Sequence, residues 1–526
     1  MSLLDPLSEY KLIVPIAALL LAYLLHHVVF SSKRNPTLPT PKGSLPIVGC
    51  TFQALHILKD QTLSEFLNKQ QDDLGPLWNL NTFGVYTPII SDPATAKRVM
   101  TETSTFVRDD TFEIAATGVL RYGLFLIPSG DLWKKHRKLL QPAFSPSHLR
   151  LGAKVSVENT DNLLSTWRKH LSVGNTESND RHIVINLHQH LSGLALDIIG
   201  QVALGGRPFG SVGNLPIKNA RGESSGEIPQ SFIAFEQIMK TIGSRFGLPL
   251  WAWKLLKLEN DQAQDGIQYA HNLAARVVKE RREALNADGR QRKDQKDLDV
   301  LDRVIMSGDA GDADGSMSDA EIRDEILGFM LAGHETTSNA LTSIMVHLMQ
   351  NPRVYAKLQS EIKAALPDNQ IPTYDTNLPY ANYVVKEGLR LSPAVRLLMR
   401  TSTKPVTVLD HHFQAGTNFT VNVYHMQKSK AIWGQDAEQF VPERWEDSEK
   451  VKEVEASGAY LPFGAGPMMC IGQKLAVLEM KMVLIRCLQS FDFELVPGQD
   501  LRFTVDDITC GFKRGVYVNV KERLVQ

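Results

Sequence analysis

A run of helix-favouring sequence near the middle of the chain limits how the remaining residues can be arranged. Ser318 is followed three residues later by Glu321, which is a capping-box pair, and Asn351 with Pro352 ends the run. This pattern predicts one helix of about 32 residues, roughly 48 Å long at ~1.5 Å per residue. A helix of that length crosses a whole domain, so the other elements must pack around it.

The middle of this predicted helix has an unusual composition. It reads AGHETTS over residues 332–338, where a buried helix ordinarily carries leucine or isoleucine. A glycine in a helix interior costs about 1 kcal/mol relative to alanine, and threonine can donate to a carbonyl one turn back and bend the helix. A local opening beside a ligand accounts for these residues. The alternative is a polar kink without a catalytic part.

A second unusual segment, FGAGPMMCIG at residues 463–472, precedes a run in which apolar residues recur at helical spacing. Cys470 is therefore predicted to lie in a glycine-rich turn at the start of a helix. Free backbone amides and the helix dipole favour a thiolate there, and the thiolate is the form that binds metal. Gly464, Gly466 and Gly472 let the backbone approach the sulfur and a flat ligand. The other interpretation of Cys470 is a small buried hydrophobe.

The cysteine segment resembles the haem-binding signature of the cytochrome P-450 family, in which Phe, Gly, Cys and Gly recur at fixed spacing. Phe463, Gly466, Cys470 and Gly472 match that signature. The resemblance implies haem b as cofactor, with the Cys470 thiolate as the axial ligand of the iron. The family usually has a basic residue two positions before the cysteine, whereas this chain has Met468.

The same resemblance implies a fold and a set of roles for the long helix. The fold would be mainly α with small β-sheets (α+β), with the haem between the long central helix and the cysteine loop. Ala332 and Gly333 would face bound dioxygen, while Glu335 and Thr336 would form a proton-delivery network.

The resemblance also implies which residues would bind the haem propionates. Trp133 and Arg137 stand four residues apart and so lie on one face of a helix, which resembles the propionate-binding helix of the family. Arg400 falls where the family often has another propionate-binding arginine. Because Met468 replaces the usual basic residue, these three side chains would hold the carboxylates between them. The alternative for each is a surface or packing residue.

A structural cluster is also implied by the resemblance. KEGLRLSP, which contains Glu387 and Arg390, and the later FVPERW, which contains Arg444, look like the buried Glu, Arg, Arg triad of the family. In isolation a glutamate and an arginine at this spacing are more often a solvated pair. We assign these residues to structure and not to chemistry.

The N-terminal segment predicts a membrane anchor. Residues 12–30 form an apolar run without acids, lysine or arginine, long enough as a helix for about 28 Å. We expect an uncleaved anchor over residues 1–34, a proline-rich hinge over 35–50 and a catalytic haem domain over 51–526. Lys33 and Arg34 follow the run, so a single pass through the endoplasmic reticulum membrane would leave the catalytic domain in the cytosol.

Composition restricts the partners. The chain has 57 Lys plus Arg against 58 Asp plus Glu, and a formal charge of -1 provides no long-range attraction for a polyanion, so nucleic acid is not expected. Four cysteines without a CxxC pair favour a reducing compartment. No flavin or nucleotide motif is visible, so monooxygenase turnover would take electrons from an NADPH-cytochrome reductase.

The implied reaction inserts one oxygen atom from dioxygen into an apolar small molecule, such as a steroid, terpenoid, fatty acid or other secondary metabolite, that could enter from membrane lipid. By family analogy residues 112–127, 232–250 and 394–398 would line the distal pocket, although such apolar segments are also ordinary core. A haem-thiolate isomerase or dehydratase, a non-enzymatic haem or lipid binder and a cysteine-nucleophile hydrolase are the other hypotheses. Glu335 and Thr336 argue against the first, and no convincing paired histidine supports the last.

Overall fold

The computed structural model describes residues 37–45, 49–50, 63–82, 85–173, 182–205, 209–213, 215–219, 223–246, 250, 253, 258, 261–287, 298–308, 317–503, 509–512 and 514–523. The predicted anchor, residues 1–34, and part of the predicted hinge lie outside these residues. Of the helices in the described ranges, none combines the length and the apolar character needed to cross a membrane.

Helix is the main secondary structure of the described chain. The helices are α1 (Leu63–Leu74), α2 (Pro93–Thr101), α3 (Thr111–Ala115), α4 (Asp131–Leu140), α5 (Pro146–Val173), α6 (Leu187–Leu204), α7 (Gln230–Arg245), α8 (Asp261–Ala287), α9 (Val300–Gly308), α10 (Asp319–Gln350), α11 (Pro352–Ala365), α12 (Pro379–Leu391), α13 (Val423–Met426), α14 (Lys430–Trp433), α15 (Ser448–Ser457) and α16 (Gln473–Ser490). Short 3₁₀ turns occur at Gln141–Phe144, Pro367–Asn369 and Pro442–Trp445.

The strands form small sheets, which confirms the predicted α+β class. They are β1 (Leu77–Thr82), β2 (Val85–Ile90), β3 (Phe106–Arg108), β4 (Ile183–Asn186), β5 (Ile217–Asn219), β6 (Ser224–Ser225), β7 (Leu397–Ser402), β8 (Val406–Val408), β9 (His411–Phe413), β10 (Asn418–Asn422), β11 (Phe491–Leu495) and β12 (Tyr517–Glu522). One sheet has the order β1-β2-β10-β7-β3, a second has the order β11-β12-β4-β5-β6, and β8 pairs with β9. Only the β2–β10 pairing among them is parallel.

Helix α10 begins and ends at the predicted residues. The Ser318 hydroxyl accepts a hydrogen bond from the amide of Glu321, whose carboxylate accepts one from the amide of Ser318. Most of the helix is buried in the largest hydrophobic cluster, together with residues of α6 and α16. A Cβ atom on Gly333 would lie 2.6 Å from Cγ1 of Ile199, so the glycine permits α6 to pack closely against α10.

The predicted buried cluster of Glu387, Arg390 and Arg444 is confirmed. Arg390 donates from Nε and one terminal nitrogen to Glu387 at 2.8 Å each, and Arg444 Nε donates to Glu387 at 3.0 Å. Arg390 also donates to the carbonyl of Gln427 at 2.7 Å. The side-chain oxygen of Gln427 accepts from the amide of Leu461 at 2.9 Å, so the cluster holds the start of the cysteine segment.

Candidate functional site around Cys470

The segment that carries Cys470 is a closed loop leading into α16. The amide of Cys470 donates to the carbonyl of Phe463 at 3.0 Å, and the amide of Met469 donates to the carbonyl of Gly466 at 3.1 Å. Gly466 has a φ of 72°, and a Cβ atom there would lie 2.8 Å from the carbonyl oxygen of Met100. Glycine is therefore required at this turn both by the backbone conformation and by the close approach of α2.

Cys470 is exposed to solvent within this loop. Burial raises the pKa of the Cys470 thiol, while the backbone amides of Gly472 and Gln473 and the charge of Arg137 act in the opposite direction. Gly472 is the N-cap of α16, so these amides belong to the positive end of a helix. The thiolate is thus partly stabilised by the protein, and a metal cation on the sulfur would complete its deprotonation.

Trp133 and Arg137 both lie on α4, as the sequence predicts. Trp133 is buried, and Arg137 is half-buried with one terminal nitrogen donating to the carbonyl of Met469 at 2.9 Å. This hydrogen bond joins α4 to the cysteine loop. The charge of Arg137 therefore lies next to the residue that precedes Cys470 in the chain.

Three arginines gather near this loop. Arg400 of β7 is paired in register with Arg108 of β3, and burial together with the charges of Arg400 and Arg137 lowers the pKa of Arg108 to about 9. Burial lowers the pKa of Arg400 to about 10, although Asp109 opposes this shift. Nε of Arg400 is buried and has no hydrogen-bond partner among the described residues. Such a concentration of positive charge fits a ligand with two carboxylates, as haem has.

Sequence reasoning missed Arg108. Its chain neighbours, FVRDDTF, contain no motif, and only the register between β3 and β7 brings it beside Arg400. Met468, which occupies the position of the usual basic residue, accepts a hydrogen bond at Sδ from the Ser129 hydroxyl at 3.0 Å. The same hydroxyl accepts from the amide of Arg108 at 3.1 Å. The Ser129 hydroxyl therefore links the backbone of Arg108 to the side chain of Met468, so the two residues lie close together.

The polar segment of α10 has one open face. Ala332 is exposed, and Thr336, one turn later, donates its hydroxyl to the carbonyl of Ala332 at 2.7 Å, which is the bond expected for a helical threonine. Gly333 turns its Cα hydrogens toward Ile199 of α6, so its side of the helix is filled by packing. The helix continues without a break through this segment. The roles of Ala332, Gly333, Glu335 and Thr336 toward oxygen stay predictions.

Phe144 lies between α10 and the start of α16. Its ring stacks on Phe329 of α10 with 6.0 Å between the centroids. The same ring lies 3.9 Å from the position that a Cβ atom on Gly472 would take. An apolar wall therefore connects the long helix to the start of α16, beside Cys470.

Comparisons with known proteins show which sequences this chain resembles. The family described as Cytochrome P450 matches residues 38–514. Cytochrome P450 4d2 of Drosophila melanogaster is 27% identical over 519 residues, which cover 95% of this chain and 97% of that protein. Putative cytochrome P450 CYP13A7 of Caenorhabditis elegans is 30% identical over 397 residues, covering 70% and 71%. The 11-oxo-beta-amyrin 30-oxidase of Glycyrrhiza uralensis is 28% identical over 421 residues, covering 78% and 74%.

Proposed function

Because the chain belongs to the cytochrome P450 family, a family of haem monooxygenases, we propose that it inserts one oxygen atom from dioxygen into an apolar small molecule with electrons from NADPH. The electrons come through a separate NADPH-cytochrome reductase. The substrate is a steroid, terpenoid, fatty acid or other secondary metabolite. The relative from Glycyrrhiza uralensis, whose name gives 11-oxo-beta-amyrin as its substrate, supports this class.

Cys470 supplies the thiolate that ligates the iron. The amides of Gly472 and Gln473 and the charge of Arg137 stabilise negative charge on its sulfur. Phe463 accepts the amide hydrogen bond of Cys470 and so fixes the loop. Gly466 lets that loop pass close to α2.

The two haem propionates bind to the arginine cluster. Arg137 and Arg400, with Trp133 on the same face of α4 as Arg137, are the residues that the sequence predicts for this task. Arg108 supplies the positive charge that Met468 cannot, and its position close to Met468 supports this role. The single observation that carries the assignment is the grouping of three arginines. Arg108 is paired with Arg400 across two strands, and burial, followed by the charges of Arg400 and Arg137, lowers the pKa of Arg108.

The oxygen side of the site is the open face of α10. When bound, haem binds and activates dioxygen and provides the oxidising equivalent for substrate. Ala332 is exposed and leaves room beside the helix, whereas the next residue, Gly333, packs against Ile199 of α6. In this structure the Thr336 hydroxyl donates to the Ala332 carbonyl. It would rotate away from that carbonyl to donate a proton at the open face of α10. Glu335, its chain neighbour, resupplies that proton.

The remaining partners follow from the sequence. Residues 12–30 anchor the protein by a single pass in the endoplasmic reticulum membrane, with the catalytic domain in the cytosol and apolar substrate entering from membrane lipid. Lys134, Lys135 and Lys138 on α4 offer positive charge to an acidic electron donor. Lys134 and Lys138 are exposed, whereas Lys135 lies 3.6 Å from the Glu321 carboxylate. The anchor covers residues 1–34, the hinge residues 35–50 and the catalytic domain residues 51–526.

The decisive experiment is co-expression with an NADPH-cytochrome reductase, followed by comparative metabolite profiling under ¹⁸O₂. We expect a product that carries one ¹⁸O atom and that disappears when NADPH or the reductase is omitted. A product that forms equally without NADPH would instead identify a haem-thiolate isomerase or dehydratase. Absence of NADPH consumption with a broad panel of apolar compounds would identify a haem or lipid binder.

A further inference from the structure

Arg396 lies in the segment that joins α12 to β7, and its side chain is almost completely buried, with 2% of its surface exposed. None of its three guanidinium nitrogens has a hydrogen-bond partner among the described residues. The guanidinium carbon lies 4.0 Å from the ring centroid of Tyr424 and 4.1 Å from that of Phe503. The aromatic rings contact the charge, but they leave the N–H donors of the group unsatisfied.

Buried arginines in proteins are normally paired, because an unpaired charge away from water is strongly unfavourable. Arg390, which is equally buried and lies on the preceding helix, shows the usual arrangement in this chain. It donates to both carboxylate oxygens of Glu387 and to the backbone carbonyls of Gln427 and Ala437. The difference between Arg390 and Arg396 indicates that Arg396 is arranged for a partner from outside the described residues.

Hydrogen bonds near Arg396 connect its segment to α10, whose open face is the proposed site for dioxygen. The amide of Cys510 donates to the carbonyl of Ala394, two residues before Arg396, at 2.9 Å. The residue before Cys510 accepts a hydrogen bond from the side-chain amide of Asn339 at 3.1 Å. Asn339 lies on α10 one helical turn after Glu335. Thr509 and Cys510 therefore link the long helix, beside its polar segment, to the segment that precedes Arg396.

A second cation lies close to the same aromatic ring. Lys428 Nζ lies 4.2 Å from the ring centroid of Tyr424 and donates to the Tyr424 hydroxyl at 2.6 Å. Arg396 and Lys428 thus both add positive charge around Tyr424. An anion in this region would be attracted by both groups. A hydrocarbon would leave the Arg396 donors unpaired, and an alcohol could accept a hydrogen bond from them but would not neutralise the charge.

We propose that Arg396 binds the carboxylate of the substrate, so that the substrate is an apolar carboxylic acid and not a neutral hydrocarbon or alcohol. The planar guanidinium can donate two parallel hydrogen bonds to the two oxygens of a carboxylate, and the two aromatic rings hold it in place. The inference rests on the proposed monooxygenase function and narrows its substrate class. The apolar part of the acid would then be the part that is oxidised.

The test compares matched acids and alcohols for binding to the haem-loaded full chain by titration calorimetry at pH 7.5, where the acids are ionised. The pairs are dodecanoic acid with 1-dodecanol, retinoic acid with retinol, and dehydroabietic acid with dehydroabietol. Since one charge-assisted pair changes affinity by about ten- to a hundredfold, we expect at least one acid to bind more tightly than its alcohol by about that factor.

Variants assign that preference to Arg396. Arg396→Gln should bind acid and alcohol equally, and Arg396→Lys should keep a reduced preference because an ammonium cannot offer two parallel donors. Arg98→Gln is the matched control, since Arg98 also lies over an aromatic ring, Phe106 at 5.8 Å, but is exposed. It should retain the full preference. If Arg396→Gln does not fold, the wild-type pairs and Arg396→Lys still decide the question.

Equal affinity within all three pairs would overturn the proposal, because it would mean that another group of the protein already neutralises the guanidinium. An acid preference that persists unchanged in Arg396→Gln or Arg396→Lys would overturn it as well. Binding in this experiment needs neither NADPH nor turnover. Failure of ¹⁸O insertion with the acid preference intact would therefore count against the proposed function alone.

Discussion

Arg108 of β3 and Arg400 of β7 face each other across an antiparallel strand pair, so two positive charges lie side by side at the end of a sheet. Like charges in directly opposite positions weaken a sheet. Arg108 offsets part of this cost by donating to the carbonyls of Leu124 and Ile127 at 2.8 Å each. An anion bound between the two guanidinium groups would replace this repulsion with attraction to both charges.

Arg108→Gln should therefore weaken haem retention while the protein stays folded. Loss of one charge-assisted contact to a propionate corresponds to about a ten- to hundredfold higher haem dissociation constant, measured by transfer of haem to apomyoglobin. Arg121→Gln, which changes an exposed arginine, is the control and should retain haem normally. Because Met468 lies close to Arg108, adding Met468→Arg to Arg108→Gln should recover part of the loss. Equal haem transfer from wild type and Arg108→Gln would contradict the assignment.

Cys470→Ala should abolish the absorption band that carbon monoxide gives with reduced, thiolate-ligated haem. The physical reason is that the variant has no sulfur at the N-terminus of α16 to bind iron. Cys487→Ala is a matched control, because Cys487 lies on α16 itself and burial raises the pKa of its thiol to about 12. The control should keep the band. A normal spectrum from Cys470→Ala would show that another residue ligates the iron.

The long helix could be predicted to the residue because its signals are local. Ser318, Glu321 and Asn351 act within one turn of the helix ends, so the sequence alone determines the boundaries. The β-prone composition of residues 77–90 likewise predicts strand, and this stretch contains β1 and β2, which form an antiparallel pair. In both cases the interacting residues are close together in the chain.

The other strands depend on partners that are far away in the sequence. The polar, turn-rich sequence of residues 205–227 predicts a surface loop. The structure has β5 and β6 within it, because the edge of β4 provides a pairing partner for β5. The same limit applies to the site. Arg108 is a candidate because its strand register places it opposite Arg400. Arg396 is a candidate because it is buried between Tyr424 and Phe503. No local sequence pattern reveals either arrangement.

Glu321 should make the free energy of unfolding depend on pH in the acid range. Burial alone would raise its pKa, but the amide of Ser318 and the imidazole of His136, among other partners, lower it from 4.5 to about 2. A carboxyl group whose pKa is lower in the folded state stabilises the fold fully above pH 4.5, and this contribution is lost as the pH falls toward 2. His136 reaches Glu321 at 3.1 Å and Glu325 at 2.6 Å, so α4 is tied to the start of α10.

Glu321→Gln keeps the capping geometry and removes the charge. We expect its free energy of unfolding in urea to be lower than that of wild type by about 1 kcal/mol at pH 7, in line with the loss of a charged cap. The difference should shrink steadily below pH 4.5. Glu449→Gln, in the first turn of the exposed α15, should change stability much less. A difference between Glu321→Gln and wild type that does not vary with pH would refute the ionic explanation.

The Thr336→Ala variant should still bind haem, but it should consume NADPH without forming a corresponding amount of product. The hydroxyl of Thr336 is the proposed donor of the proton, and in its absence oxygen leaves the site as hydrogen peroxide before it reaches substrate. The expected result is a several-fold fall in product formed per NADPH consumed, with a matching rise in peroxide and an unchanged carbon monoxide spectrum. Thr336→Ser retains a hydroxyl at the same Cβ and should stay near wild-type coupling. Because the helix is continuous and the hydroxyl only donates to the Ala332 carbonyl at 2.7 Å, a purely structural role for Thr336 predicts equal coupling in all three proteins.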